Sequence, residues 1–112
     1  MSRNRLGEFE LIVLLAAMQL GRDGAHTLAI VEEIRRRTGR EVERAAVYVT
    51  LQRLENKGLI ASWLSEPRAE RGGKGRRHVR LLAAGERAVA ESRAALLAMW
   101  QGLESAFEGP ST

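Results

Sequence analysis

The chain contains no cysteine among its 112 residues, and only 4% of its residues are aromatic. Without cysteine there is no disulfide framework and no metal site built on thiolates. The longest apolar run, residues 11–18, is far shorter than the ~20 residues that cross a bilayer, and its flanks do not resemble a signal peptide. We therefore expect a cytoplasmic protein without a membrane span.

The sequence also lacks the residue patterns of catalysis. Its two histidines, His26 and His78, lie in different predicted elements and show no metal-ligand spacing. There is no serine elbow, and the glycines at 72–75 lack the serine or threonine and the preceding strand that a P-loop requires. We expect neither an enzyme nor a bound metal or cofactor.

The composition is that of an ordinary globular domain, with 45% apolar and 29% charged residues. The net charge of +4 is unevenly spread, because residues 67–82 carry six arginines and lysines against one glutamate, a net of +5. A basic balance concentrated in one segment favours a polyanionic partner, of which nucleic acid is the commonest. A solvated arginine-rich loop is the alternative.

Hydrophobic periodicity predicts three short helices ahead of this segment. The first lies in LGEFELIVLLAAMQLG and stops at Gly21; it is apolar nearly all the way round, so that neighbours must cover it from more than one side. The second starts after Thr27, a plausible N-cap, and ends at Gly39. The third lies in VERAAVYVTLQRLENKGLI and ends at Gly58.

From Leu59 onward the spacing of the hydrophobic residues changes from that of a helix to that of a strand. LIASWLSE and HVRLL predict two strands of a hairpin with the basic segment as its loop, Val79 and Leu81 pointing inward, and Trp63 in the core. Residues 83–108 predict a long helix with a narrow apolar seam, and 109–112 a tail. The fold class is therefore mainly α with a small β-hairpin: a winged helix-turn-helix domain over 1–82, followed by a long C-terminal dimerisation helix.

In this arrangement the third helix enters a DNA groove and the basic loop, or wing, follows the backbone. The predicted reading residues lie on the third helix and the predicted phosphate contacts on the wing: Arg44, Tyr48, Gln52 and Arg53, then Lys74, Arg76 and Arg77. Two alternatives are that the helix face is simply solvated, and that the module binds RNA or an acidic protein without reading a DNA sequence.

The order of elements and the segments LGEFELIVLLAAM, VYVTLQRLENKGLI and GRRHVRLLAAGERAV resemble the PadR family of bacterial transcriptional regulators over roughly residues 6–105. The central segment is the most specific, with Tyr48, Leu51 and the stretch 53–60 in the family's order. His78 and Val79 depart from the pattern by replacing its usual aromatic residues. The resemblance implies a DNA-binding transcriptional regulator that acts as a repressor.

The resemblance further implies a homodimer whose first and last helices form the interface, in agreement with the apolar surplus of both helices. The candidate interface residues are Phe9, Leu15, Leu96, Met99, Leu103 and Phe107. A monomer with the last helix folded back on its own core is the alternative. Two-fold symmetry predicts a palindromic operator with half-sites ~10 or ~20 base pairs apart. Trp100, beside the seam, is a candidate contact for a small aromatic effector, with plain packing as the alternative.

Overall fold

A computed structural model of the chain describes residues 5–65 and 76–108. The elements follow the predicted order, and the predicted fold class is confirmed: mainly helical, with one two-stranded antiparallel hairpin. Their bounds are α1 Glu8–Leu20, α2 Thr27–Thr38, α3 Arg44–Asn56, β1 Ile60–Leu64, β2 Arg77–Leu81, α4 Ala83–Trp100 and a short 3-10 helix Glu104–Phe107.

The side chains of three helices and both strands share one core. The largest fully buried side chains are Val13, Leu14, Ile30, Val47, Leu51, Leu54, Leu59, Ile60 and Val79. They belong to α1, α2, α3, the strands and the connection between α3 and β1. Because the helix pair α2–α3 and the hairpin pack on the same core, the reading helix and the wing are held in a fixed relation to each other.

The start of α2 differs from the prediction. Its N-cap is His26, not Thr27: the His26 Nδ1 atom accepts the backbone N–H of Ala29 at 3.3 Å. The helix ends where predicted, at Gly39, whose φ of 74° places it in the left-handed region that glycine adopts without strain. The N-cap thus lies one residue before Thr27, whose hydroxyl sequence patterns favour, because the His26 imidazole supplies the acceptor.

The hairpin pairs Ile60 with Leu81 at one end and Leu64 with Arg77 at the other. Val79 is buried and Leu81 is partly buried, as predicted. The prediction of Trp63 in the core is wrong, because Trp63 pairs with His78 on the opposite face of the strands and is 37% exposed. Its ring stacks on the His78 ring at a centroid distance of 5.6 Å.

The last helix is shorter than predicted. The pattern over 83–108 predicts one helix, but α4 ends at Trp100 and the chain turns at Gly102, where φ is 89°. The Leu103 N–H donates to the Trp100 carbonyl at 2.9 Å, and the 3-10 helix brings Phe107 edge-on to Trp100, with ring centroids 5.0 Å apart. The turn follows from a glycine that adopts a conformation closed to other residues.

Only the first half of α4 packs on the rest of the domain. Its buried residues are Gly85, Ala88 and Val89, whereas every residue from position 93 to 108 is exposed. The radius of gyration is 16.5 Å, against about 13 Å for a compact domain of this length. The second half of α4 therefore extends beyond the core. In the described part of the chain, no helix has the length and apolarity to cross a membrane.

Candidate nucleic-acid interface

Helix α3 has one buried face and one exposed face. Its buried residues are Val47, Thr50, Leu51 and Leu54. At about 100° per residue, the opposite face is centred near Ala45, Val49 and Gln52, all of which are exposed. Arg44 and Tyr48 are also exposed and lie on the flank of this face that adjoins the wing. The structure thus brings three of the predicted reading residues onto one accessible strip: Arg44, Tyr48 and Gln52.

Arg77 of β2 reaches across to this strip. Its guanidinium donates to the Gln52 side-chain oxygen at 3.2 Å and forms an ion pair with the Glu55 carboxylate. The guanidinium carbon lies 5.2 Å from the centre of the Tyr48 ring, within the range of a cation–π contact. The wing and the reading helix are therefore joined by side chains as well as by the core.

Glu55 and Ser62 complete this contact and were not predicted. The Ser62 hydroxyl of β1 donates to both Glu55 carboxylate oxygens, at 3.0 and 3.1 Å. Glu55 therefore binds one side chain from each strand of the wing. The one available signal in the sequence is spacing, because Glu55 follows Gln52 by three residues and so lies on the same side of α3.

A shallow cavity of about 230 Å³ lies where the N-terminus of α2 meets the wing. Its lining includes Arg44, Arg76 and Arg77, together with His26 and Thr27. A helix N-terminus carries a partial positive charge and unpaired N–H groups, and Arg44 and Arg76 add to that charge. The charge of Arg77 is offset by its ion pair with Glu55. The electrostatics of the cavity suit a phosphate group of a nucleic-acid backbone.

His26 lies in the wall of this cavity. Burial is the largest cause that lowers the pKa of His26 below its ordinary value of 6.5; Arg76 and His78 lower it further, and Glu32 opposes them. A neutral imidazole has one acceptor nitrogen, and the N-cap uses Nδ1. The Arg76 Nη1 atom, 3.2 Å from Nε2, therefore faces a second donor, so that contact does not occupy the Arg76 donors.

Arg53 lies apart from the other predicted reading residues. It is exposed but sits about 100° round α3 from Gln52, on the flank near Glu10. Glu10 accepts the Lys57 ammonium at 2.9 and 3.1 Å and the Gly7 N–H at 2.9 Å. Burial alone would raise the pKa of Glu10, but these hydrogen bonds and the charges of Lys57 and Arg53 hold that pKa below its ordinary value. This cluster ties α1 to the end of α3.

Lys74, the remaining predicted wing contact, lies outside the described residues. Among the residues that the structure describes, no group of three or more histidines, aspartates and glutamates is placed to hold a metal ion.

The predicted interface residues are largely solvent-exposed in the single chain. Leu15, Leu96, Met99, Leu103 and Phe107 are between 41% and 76% exposed, whereas Phe9 is half-buried and packs against the core. Met18 and Leu97, which the sequence analysis did not name as interface candidates, are exposed to a similar degree, at 48% and 50%. Trp100 is also about half exposed and contacts Phe107. These apolar side chains lie on α1, on the second half of α4 and on the residues that follow α4.

The fold and the cationic surface of α3 and the wing define a winged helix-turn-helix DNA-binding protein. The sequence profile of the Transcriptional regulator PadR-like family matches residues 14–91, and the chain belongs to this family. It is thus a DNA-binding transcriptional regulator, and the family's members are not enzymes.

Several solved structures are similar to the chain. A PadR family transcription regulator from Clostridium difficile R20291 is 18% identical, with a TM-score of 0.70 over 91% of this chain and 100% of that chain. A PadR family transcriptional regulator from Eggerthella lenta DSM 2243 is 27% identical, with a TM-score of 0.66 over 92% and 88%. Bordetella bronchiseptica BpsR, whose DNA binding is regulated by 6-hydroxynicotinic acid, is 20% identical, with a TM-score of 0.59 over 92% and 71%. No curated protein matches the chain significantly.

Proposed function

We propose that the chain is a homodimeric, sequence-specific repressor that reads a palindromic operator. In this proposal α3 enters the major groove, and Arg44, Tyr48 and Gln52 contact base edges. Arg53 contacts the backbone or base edges from the other flank of α3. The wing, with Lys74 and Arg76, lies on the backbone or in the minor groove. A dimer bound to two adjacent half-sites of a promoter would block transcription.

The observation that carries the proposal is the convergence of α3, the wing and the N-terminus of α2 on one exposed surface. Arginine can pair bidentately with guanine and glutamine with adenine, and each good pair is worth about 1–3 kcal/mol of discrimination. In the proposal, a phosphate in the shallow cavity beside this strip, which Arg44 and Arg76 line, fixes the register of α3 along the groove.

The test of specific reading is enrichment from a random duplex DNA pool at roughly 150 mM salt, followed by sequencing. We expect a palindromic motif with half-sites ~10 or ~20 base pairs apart. A folded protein that enriches no motif would contradict the proposal. Duplex RNA that competes as well as the enriched DNA would instead favour RNA binding.

Base reading and phosphate contact are separable by mutation. Arg76→Ala should weaken binding to all duplexes alike and reduce the salt slope of binding by about 0.9, the value for one phosphate contact. Gln52→Ala should relax the preference at particular base pairs and leave the slope unchanged. An unchanged enriched motif for Gln52→Ala would remove that residue from the reading surface.

The dimer is supported by the exposed apolar side chains on α1 and on the end of α4. Among these side chains, Leu96, Met99 and Trp100 fall within about 100° of one another round α4. A second copy of the chain could therefore cover all three together. A coiled-coil-type contact between the last helices would also place the two α3 helices symmetrically for a palindrome.

Mass measurement in solution at micromolar concentration tests the dimer, and a monomer would contradict it. Leu96→Glu should shift the mass toward the monomer, because it places a charge in the apolar seam. Ala98→Glu is the matched control, since it adds the same charge to an exposed position on the opposite side of α4. If the two variants dissociate equally, the seam is not the interface.

We further propose a small aromatic effector that binds beside Trp100. Two observations favour it: the half-exposed indole packs edge-on against Phe107, and the DNA binding of the similar BpsR responds to 6-hydroxynicotinic acid. Titration with planar aromatic acids, 6-hydroxynicotinic acid among them, should quench the tryptophan fluorescence of wild type. Trp100→Phe leaves Trp63 as a reporter, and an unchanged response in this variant would remove Trp100 from the site.

A further inference from the structure

Among the described cations of the interface, Arg77 differs from Arg44 and Arg76 in having its charge paired with a carboxylate and its Nη2 group bonded to side-chain oxygens of α3. Its side chain is 19% exposed, whereas Arg44 and Arg76 are exposed. Within the described residues, the partners of its side chain belong to α3: the Glu55 carboxylate, the Gln52 side-chain oxygen and the face of the Tyr48 ring. Because Glu55 offsets its charge and its Nη2 hydrogens are used within the chain, Arg77 is less suited to a phosphate than Arg44 or Arg76.

We infer that Arg77 is a positioning residue for base reading, held by Glu55, and not a phosphate contact. The inference rests on the proposed function and deepens it. Because Glu55 also accepts the Ser62 hydroxyl, its carboxylate fixes both strands of the wing to α3. The contact between Arg77 and Glu55 thus sets the height of the wing and the orientation of the reading side chains together.

The orientation of Gln52 is the specific consequence. Adenine recognition requires the glutamine amide to present its oxygen and its NH₂ group in one plane to the base edge. Arg77 donates to the Gln52 oxygen at 3.2 Å, which leaves one lone pair of that oxygen and both amide hydrogens for the base. Tyr48 is held in the same way by the guanidinium over its ring. Without Arg77, both side chains would have to be ordered at the moment of binding.

Arg77→Lys separates positioning from phosphate neutralisation. Lysine keeps the charge and can contact a phosphate as a point charge, but it lacks the planar guanidinium that lies over the Tyr48 ring while its Nη2 group contacts Glu55 and Gln52. The test measures the affinity of wild type and of Arg77→Lys for two duplexes across a series of salt concentrations. One duplex is the operator enriched from the random pool, and the other is a scrambled sequence. The expected result is a fall in the operator-to-scrambled ratio of about tenfold with an unchanged salt slope.

Two reference variants frame this result. Arg80→Lys, an exposed position on the same strand, makes the same chemical change and should alter neither quantity. Arg76→Ala should reduce the slope by about 0.9 without changing the ratio. If Arg77→Lys keeps the wild-type ratio, the inference is overturned, because charge alone then suffices at position 77.

Glu55→Met provides a second, opposite test. It removes the carboxylate that neutralises Arg77, so the affinity for scrambled DNA should rise while the operator-to-scrambled ratio falls. If Arg77 were a phosphate contact merely restrained by Glu55, the same variant would strengthen binding to both duplexes alike. A rise in both affinities with a constant ratio therefore contradicts the inference.

A measurement without DNA distinguishes this inference from the proposed function. In wild type the Gln52 side-chain amide should be ordered on the ps–ns timescale, and its NMR order parameter should fall in Arg77→Lys. An unchanged order parameter, with sequence preference intact in wild type, overturns the role of Arg77 alone. A wild type that binds all duplexes equally overturns the proposed function, and with it any role in base reading.

Discussion

Replacing Gly85 with alanine tests how closely α4 is docked on the rest of the domain. Gly85 lies in the first turn of α4, against the carbonyl group of Leu59 in the connection from α3 to β1. A β carbon at this position would lie within 3.0 Å of the carbonyl oxygen and 3.1 Å from the carbonyl carbon, whereas ordinary contact begins at 3.4 Å. The same oxygen accepts the Leu82 N–H at 2.9 Å, so it is not free to retreat.

The magnitude follows from three opposing contributions to the free energy of unfolding. Alanine in place of glycine normally stabilises a helix by about 1 kcal/mol. Here the methyl group requires a displacement on the order of 1 Å, and overpacking of this kind costs about 1–3 kcal/mol. Weakening the hydrogen bond from Leu82 to Leu59 adds a cost of about 1 kcal/mol. We therefore expect Gly85→Ala to destabilise the protein by about 2 kcal/mol, opposite in sign to helix propensity.

The assay is urea unfolding followed by circular dichroism, at one protein concentration for all variants because self-association would make stability concentration-dependent. Ala90→Gly, at an exposed position of α4, is the control and should lose about 1 kcal/mol through propensity alone. The reasoning is refuted if Gly85→Ala is as stable as wild type while Ala90→Gly behaves as expected. In that case α4 does not approach Leu59 as closely as the structure places it.

Three further predictions concern single buried or capping groups. Lys57→Met should lower the free energy of unfolding by about 1–2 kcal/mol at pH 7, and it should raise the pKa of Glu10, which NMR measures. In wild type the stabilisation by the Glu10 carboxylate is present above its ordinary pKa of 4.5. It is lost as the pH falls through the lower pKa of the folded state. Because folding lowers the pKa of His26, wild type should lose stability as the pH falls from 6.5 through the folded value. His26→Asn keeps a capping acceptor at every pH and should not show this pH dependence. If wild type and His26→Asn lose the same free energy of unfolding on acidification, measured by urea unfolding, the cap by His26 is contradicted. Leu51→Ala should cost about 2–5 kcal/mol in urea unfolding, since Leu51 is fully buried.

The helices and strands could be predicted from the sequence because their signals are local. The end of α2 at Gly39 and the pairing of β1 with β2 each follow from a few neighbouring residues. The end of α4 could not be predicted in this way, since apolar residues continue at helical spacing on both sides of Gly102. Periodicity carries no information about the backbone angles of Gln101 and Gly102, and these two residues leave the helical conformation and form the turn that ends the helix.

Errors at the candidate site have a different origin, which is the contact between residues distant in sequence. An aromatic residue in a strand is equally compatible with either face, and the pairing of Trp63 with His78 placed it outside the core. Glu55 and Arg77 are 22 positions apart, so the local sequence round either residue does not predict its contact with the other. The predicted strip of Arg44, Tyr48 and Gln52 could be found because all three residues lie on one helix.

The inference on Arg77 predicts that a count of charges overestimates the phosphate contacts of the wing. Arg76 and Arg77 are equivalent in the sequence, but consecutive residues of an extended strand point to opposite sides. Arg77 therefore meets Glu55 on α3, and Arg76 meets the N-terminus of α2, where no carboxylate accepts its donors among the contacts of the described residues. The salt slope of DNA binding should consequently be shallower than the six cations of residues 67–82 imply. On the inference made above, Arg77 contributes to which sequence is bound, and Arg76 contributes to how tightly any DNA is bound.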